Sequence, residues 1–343
     1  MDALTIRRPD DWHLHLRDGQ AMAAVLPDTA RRFARAIVMP NLKPAVRTTH
    51  QALDYRERIL AALPEGLSFQ PLMTLYLTDS TPPEEIRRAR ASGCIYGIKL
   101  YPAGATTHSD AGVTDVTRCA GALAAMEREG LPLLVHGETT DPAVDVFDRE
   151  KIFLERVLAP LVERYPGLRV VLEHVTTADG VDFVAGSRLG VAATVTAHHL
   201  LLNRNALFEG GLRPHHYCLP VLKREGHRRA LVAAATGGSP KFFLGTDSAP
   251  HPRSAKESGC GCAGIYTAHA GLELYAEAFE QAGALDRLEA FAAFHGPDFY
   301  GLPRNRDTVT LVKRAWKVPG DYPLGGDTMV PLRAGGAVHW QLA

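Results

Sequence analysis

Eight short apolar runs recur along the chain, each separated from the next by a longer stretch, and this alternation limits the fold more than any other feature. The runs occupy residues 4–13, 36–40, 69–77, 97–101, 131–136, 168–174, 191–196 and 241–246. Their length and their Val, Ile and Leu content are those of buried strands. Between them, residues 47–62, 82–92, 113–129, 143–165 and 224–236 carry helical patterning, several opened by Pro, Asp or Thr. Strands alternating with helices predict parallel pairing through helical crossovers. Eight such units predict an α/β fold of the (β/α)8 TIM-barrel type, with catalytic groups at the C-terminal ends of the strands. A doubly wound open sheet is the alternative, but no Gly-x-Gly-x-x-Gly directly follows any run, so its cofactor signal is absent. No repeat or linker divides the 343 residues, which are expected to form a single domain, 1–343, with 304–343 as a C-terminal appendage.

Composition narrows the partners. Lys+Arg and Asp+Glu both number 38, so net charge favours neither nucleic acid nor an anionic membrane. The first eight residues lack the apolar core of a secretory signal, and no apolar run is long enough to span a bilayer. Cysteines stand at 94, 119, 218, 260 and 262, an odd count that fits reduced thiols in a cytoplasm.

Polar residues at the ends of the runs keep the phase of the strands. His13 and His15 end the first, Lys99 lies in the fourth, His136 ends the fifth, His174 ends the sixth and Asp247 follows the eighth. Lys99 to His136 is 37 residues, His136 to His174 is 38, and His174 to Asp247 is 73, about two units. In the stretch Trp12 to Asp18, strand alternation predicts His13, His15 and Arg17 on one face and Leu14 and Leu16 on the other. An isolated His-x-His reads as a solvated pair. Four imidazoles, a carboxylate and an amine at one barrel mouth are too many ligands for one zinc and suit a metal-dependent hydrolase with two. Lys99 is the odd member, and its plain reading is a snorkelling surface cation. A buried, neutral lysine amine can instead add CO2 to become a carbamate, an anion able to bridge two metals. Two zinc ions bring four positive charges, of which a carbamate, Asp247 and a bridging hydroxide remove three. The remainder attracts an anionic substrate.

Longer motifs surround these residues: Asp11 to Gly19, Met39-Pro40-Asn41-Leu42, Lys99-Leu100-Tyr101-Pro102-Ala103, and Leu134-Val135-His136-Gly137-Glu138. They continue with Glu173-His174, Leu244 to His251, and Gly259-Cys260-Gly261-Cys262-Ala263-Gly264. From about residue 5 to 303 the chain resembles the dihydroorotase family of the amidohydrolase superfamily, in its short bacterial type without an added β-sandwich domain. The resemblance implies reversible closure of N-carbamoyl-L-aspartate to L-dihydroorotate with loss of water, a step of pyrimidine (UMP) synthesis. It implies two zinc ions, the more buried held by His13, His15, N6-carboxylated Lys99 and Asp247, the second by Lys99, His136 and His174. It further implies that a bridging hydroxide attacks the ring amide while Asp247 acts as general base and then acid. Arg17, Asn41 and His251 then bind the substrate carboxylate, His136 also touches substrate, and backbone groups of Leu219 and Ala263 read the ring edge. Thr106 and Thr107 match the family's mobile loop. A cytoplasmic homodimer acting on this small molecule is part of the same implication.

Other metal hydrolases of this barrel, such as hydantoinases, allantoinases and phosphotriesterases, share the ligands but not the Arg17, Asn41 and His251 set. A barrel kept only as a binding scaffold is expected to have lost ligands, and none of the six is missing here. Trp12 reads as packing, Cys218 as a small buried hydrophobe, and Cys260-x-Cys262 as a structural turn. His198 is assigned no catalytic role, and residues 304–343 carry no motif.

Overall fold

The computed structural model describes residues 2–343. Eight strands form one parallel sheet in sequential order. They are β2 (Asp10–Leu14), β3 (Arg35–Val38), β4 (Gln70–Tyr76), β5 (Ile95–Leu100), β6 (Leu133–His136), β7 (Val170–Glu173), β8 (Val191–Val195) and β9 (Phe242–Leu244). The sheet closes between β9 and β2. Asp247 N–H donates to His13 O at 2.9 Å, His15 N–H donates to Ser248 O at 3.2 Å, and Leu14 bridges Ser248 in parallel. This is the eight-stranded barrel that the alternation predicts.

The first apolar run departs from expectation. Residues 4–13 form two strands, β1 (Ala3–Arg7) and β2, parted at Pro9. A proline has no N–H to offer a ladder, so the pairing partner changes there. β1 leaves the barrel and pairs antiparallel with β10 (Thr308–Val312). The chain then continues through β11 (Trp316–Lys317), β12 (Tyr322–Leu324), β13 (Asp327–Met329) and β14 (Ala337–Val338) to β15 (Gln341–Leu342), which pairs with β10. Val318, Met329, Leu332, Val338 and Trp340 of this segment are buried in the main hydrophobic core.

Helix ends follow local chemistry. The segment expected from 113 begins at Val116, because Asp115 accepts the Thr117 N–H at 2.9 Å, and its α-helical part Ala120–Glu129 stops at Gly130 with φ 69°. The segment expected from 143 begins at Arg149, since Asp141 and Asp145 accept N–H groups of Ala143 and Phe147 and hold turns instead.

The barrel interior is layered. Leu134 stands two residues before His136 and Val171 two before Glu173, so alternation stacks an apolar layer beneath a polar one. Trp12, Ile37, Met39, Leu72, Leu134, Val171, Ala192 and Phe243 make that apolar layer. Trp12 stacks on Tyr300 with ring centroids 4.4 Å apart, which confirms it as packing. Residues facing outward, such as Leu133, Val135, Leu172 and Val195, join the core shared with the surrounding helices.

Candidate active site

The polar layer collects the residues that the strands carry to their C-terminal ends. His13 Nε2 lies 3.3 Å from His15 Nε2, and Asp247 Oδ1 lies 3.3 Å from the first and 3.1 Å from the second. The His174 ring centroid is 5.0 Å from that of His13 and 4.9 Å from that of His136. Lys99 is wholly enclosed (0 % exposed), with Nζ 3.2 Å from Glu173 Oε2 and 5.0 Å from the Tyr101 ring centre. The donor set fits a divalent metal: two imidazole nitrogens and a carboxylate oxygen converge while buried, and His174 Nδ1 is buried with no partner.

Local backbone strain aims these groups. Arg17, His174 and Asp247 are not glycines, yet they adopt φ of 63°, 42° and 45°, in the left-handed region just beyond β2, β7 and β9. Such conformations persist only where the surroundings impose them. Gly245 makes room for the result. A Cβ on it would stand 2.7 Å from Thr194 Cβ and 3.1 Å from His13 Cβ. Asp11 ties the two strand ends together. It accepts the N–H groups of His13 (3.1 Å) and Thr246 (2.9 Å) and the Thr246 hydroxyl (2.5 Å).

The electrostatics follow from burial. Desolvation keeps His13 neutral, with its pKa pushed down to about 3, and lowers His15 and His174 in the same direction. Burial also drives the Lys99 amine well below its ordinary range, toward the neutral form. On Asp247, burial opposes the charge, but the surrounding His13, His15 and His174 outweigh it and hold the carboxyl well below the usual range. Asp11, with no cation against it, is raised by burial to about 7.

Arg17 reaches the pocket by a different route from the one alternation suggests. The strand ends at Leu14, and the left-handed turn at Arg17 directs the guanidinium. Its Nε donates to Pro250 O at 3.0 Å and its Nη2 meets His251 Nε2 at 2.9 Å, leaving further N–H groups for an anion. Burial and the Arg17 charge push His251 down to about 2, so it faces Arg17 as a neutral acceptor. Asn41 is engaged on both sides: Oδ1 lies 2.9 Å from His15 Nδ1, and Nδ2 donates to Thr107 O at 3.2 Å. Thr106 and Thr107 lie over the pocket, and Thr107 Oγ1 donates to Ala263 O at 3.4 Å. Leu219, Ala263, Tyr101 and Gly264 complete the lining, and the space left inside is about 20 Å³, enough for about one water. All the residues singled out in the sequence therefore meet at one mouth, with Lys99 beneath it and His251 behind Arg17. Asp11, Glu138, Glu173 and Tyr101 were not singled out for roles. In the sequence Glu173 precedes His174 and Glu138 stands two residues after His136, while Asp11 and Tyr101 lie in the motifs that hold His13 and Lys99.

A second buried group, His198, His199 and Cys218, has ligand atoms near one another; His199 and Cys218 are committed to hydrogen bonds, while both ring nitrogens of His198 are buried with no partner. His199 meets Thr196 Oγ1 at 2.7 Å and Pro220 O at 3.0 Å, while the Cys218 thiol donates to Pro220 O at 3.3 Å. Burial pushes that thiol up to about 12, in keeping with a small buried side chain. Cys260 and Cys262 are free thiols, the first in a turn and the second just after it.

Residues 10–331 match the model of the amidohydrolase family. A dihydroorotase of Methylobacillus flagellatus is 69% identical over 339 residues, covering 99% of this chain and 98% of that protein. The crystal structure of a dihydroorotase from Campylobacter jejuni superposes with a TM-score of 0.91 at 36% identity, covering 100% of this chain and 98% of that one. The crystal structure of a Saccharomyces cerevisiae dihydroorotase in complex with 5-fluoroorotic acid gives 0.90 at 31% identity, covering 100% and 99%. The chain belongs to the amidohydrolase family, among its dihydroorotases. The six residues expected as ligands all fall inside the matched residues. Dihydroorotases are metal-dependent cyclic amidohydrolases, and the His13, His15 and Asp247 cluster is where this chain can hold a metal ion. Among the described residues, no helix is long and apolar enough to cross a membrane.

Proposed function

We propose that this chain interconverts L-dihydroorotate and N-carbamoyl-L-aspartate in pyrimidine synthesis, using two zinc ions held by His13, His15, Asp247, His136, His174 and a carboxylated Lys99. The observation that carries the reading is the meeting of these six side chains with Arg17 at one end of the barrel. When bound, the metals would polarise the ring carbonyl and lower the pKa of the attacking water toward neutrality. Everything else falls to the chain's own residues. Arg17 grips the substrate carboxylate by charge-assisted hydrogen bonds, with Asn41 and His251 beside it. Leu219 and Ala263 offer backbone groups to the ring edge. Asp247 accepts a proton from the water and delivers it to the leaving ring nitrogen, the general base becoming the acid. Thr106 and Thr107, on a loop that closes over the pocket, hold the open-chain form and exclude water. Burial that keeps the Lys99 amine neutral favours addition of CO2, because only the free amine is a nucleophile.

We also read residues 1–343 as one domain with 304–343 as its C-terminal appendage, and the chain as a cytoplasmic homodimer, to be tested by sedimentation of the purified protein. The activity is tested by following the ultraviolet absorbance of the ring amide. Dihydroorotate should be turned over, chelation should stop it, and hydantoin and allantoin should be poor substrates. Preferential turnover of hydantoin or allantoin would contradict the reading.

A further inference from the structure

An imidazole that ligates a metal presents one nitrogen to it, and the other carries a proton that needs an acceptor. The acceptors are visible in this chain. His13 turns Nε2 toward His15 and Asp247, and its Nδ1 lies against a carboxylate oxygen of Glu173, a contact without hydrogen-bond geometry. His136 is the reverse case: its Nε2 lies 2.8 Å from Glu138 Oε2, which leaves Nδ1 for the pocket. Both carboxylates are buried, each 1 % exposed, and each has an Oε1 with no partner. Among the described residues, Glu138 has no lysine or arginine in salt-bridge range, and Glu173 has only Lys99. A buried carboxylate with so little compensation is costly unless a cation is near. A metal bound to the imidazole would supply it.

We infer that Glu173 and Glu138 are positioning residues, one for each metal: Glu173 fixes His13 with Nε2 free, and Glu138 fixes His136 with Nδ1 free. The inference rests on the two-metal reading above. Neither carboxylate touches substrate. Each sets the tautomer and ring orientation of its histidine and strengthens it as a donor. His15 receives the milder version of this treatment, from the neutral amide oxygen of Asn41 at 2.9 Å.

The test compares zinc binding by the parent, Glu173→Gln and Glu138→Gln in competition with a chromophoric chelator. Gln keeps the side-chain shape and removes the charge. Each variant should weaken one of the two binding steps by at least about tenfold, and the two variants should affect different steps. Nitrogen-15 histidine spectra of the zinc-loaded parent should show His13 protonated on Nδ1 and His136 on Nε2, a result that does not depend on either variant folding. Parent-like zinc affinity in both variants, or the opposite tautomers in the parent, would overturn the inference while leaving two-metal binding intact. A parent that binds no zinc would overturn the metal reading itself, and this inference with it.

Discussion

Lys99 is enclosed beside the site's histidines, with only Glu173 among the described residues in salt-bridge range, and a permanent ammonium there would repel any metal. Lys99→Ala should therefore lose most zinc and activity, and a small added carboxylate should partly restore both. Full zinc content in the alanine variant would end the carbamate account. Asp247→Asn should lower turnover far more than substrate affinity, because the proton it moves matters only in the transition state. A variant with parent turnover and only a raised KM would contradict that role. Arg17→Met should cost at least roughly tenfold in kcat/KM, about 1.4 kcal/mol of transition-state stabilisation. The loss should be much smaller on dihydrouracil, which lacks the carboxylate, and equal losses on both would assign Arg17 to the site's architecture instead. The side chains that gather at the barrel mouth were legible in the sequence because strand ends impose a period on them. Asp11, Glu138 and Glu173 were not, because an outer partner is defined by where its side chain lands, and no spacing encodes that. Arg17 lines the pocket, but not by strand alternation, since its backbone leaves the strand before the alternation reaches it.

At the level of strands and turns, Gly245 decides how closely β9 can approach β2. A Cβ there would press on two Cβ atoms, Thr194 and His13, neither of which can swing away as a chain end could. Gly245→Ala should cost about 1–3 kcal/mol from overpacking, and it should also reduce zinc affinity by moving His13. Chelator competition and thermal melting of the same variant test both halves, and unchanged zinc affinity would remove the link between this contact and the site. The barrel itself was legible, as eight apolar runs separated by helical stretches. The departure of β1 was less so: residues 4–13 read as one run, and only the β1–β10 pairing shows that Pro9 divides it. Helix starts at 116 and 149 were obscured by Asp residues that cap or form turns, where side-chain geometry overrides hydrophobic periodicity.

Across the whole molecule, several histidines are buried in neutral form, including ones outside the site. His269 sits among Tyr266, Tyr322 and Trp316, where the barrel meets the 304–343 segment, with ring centroids 5.7, 5.7 and 6.3 Å away. Burial, aided by the Arg32 charge, lowers its pKa to about 3. A folded pKa below the unfolded value of about 6.5 means that the unfolded chain binds the extra proton first. Its contribution is present above pH 6.5 and is lost as pH falls toward 3, at about 1.4 kcal/mol per pH unit. Melting of the metal-free protein should fall on acidification from pH 7 to 5, and His269→Phe should make that fall shallower. An unchanged slope would remove His269 as a cause. The claim on which the whole account turns is that the folded barrel works only with its metals and its carbamate. The most direct measurement is to strip the protein with chelator, return zinc in the presence of bicarbonate, and record dihydroorotate turnover against bound zinc per chain. The account predicts no activity in the stripped protein and a rise that levels off at two zinc ions per chain. Full turnover without metal, or saturation at a single zinc, would contradict it.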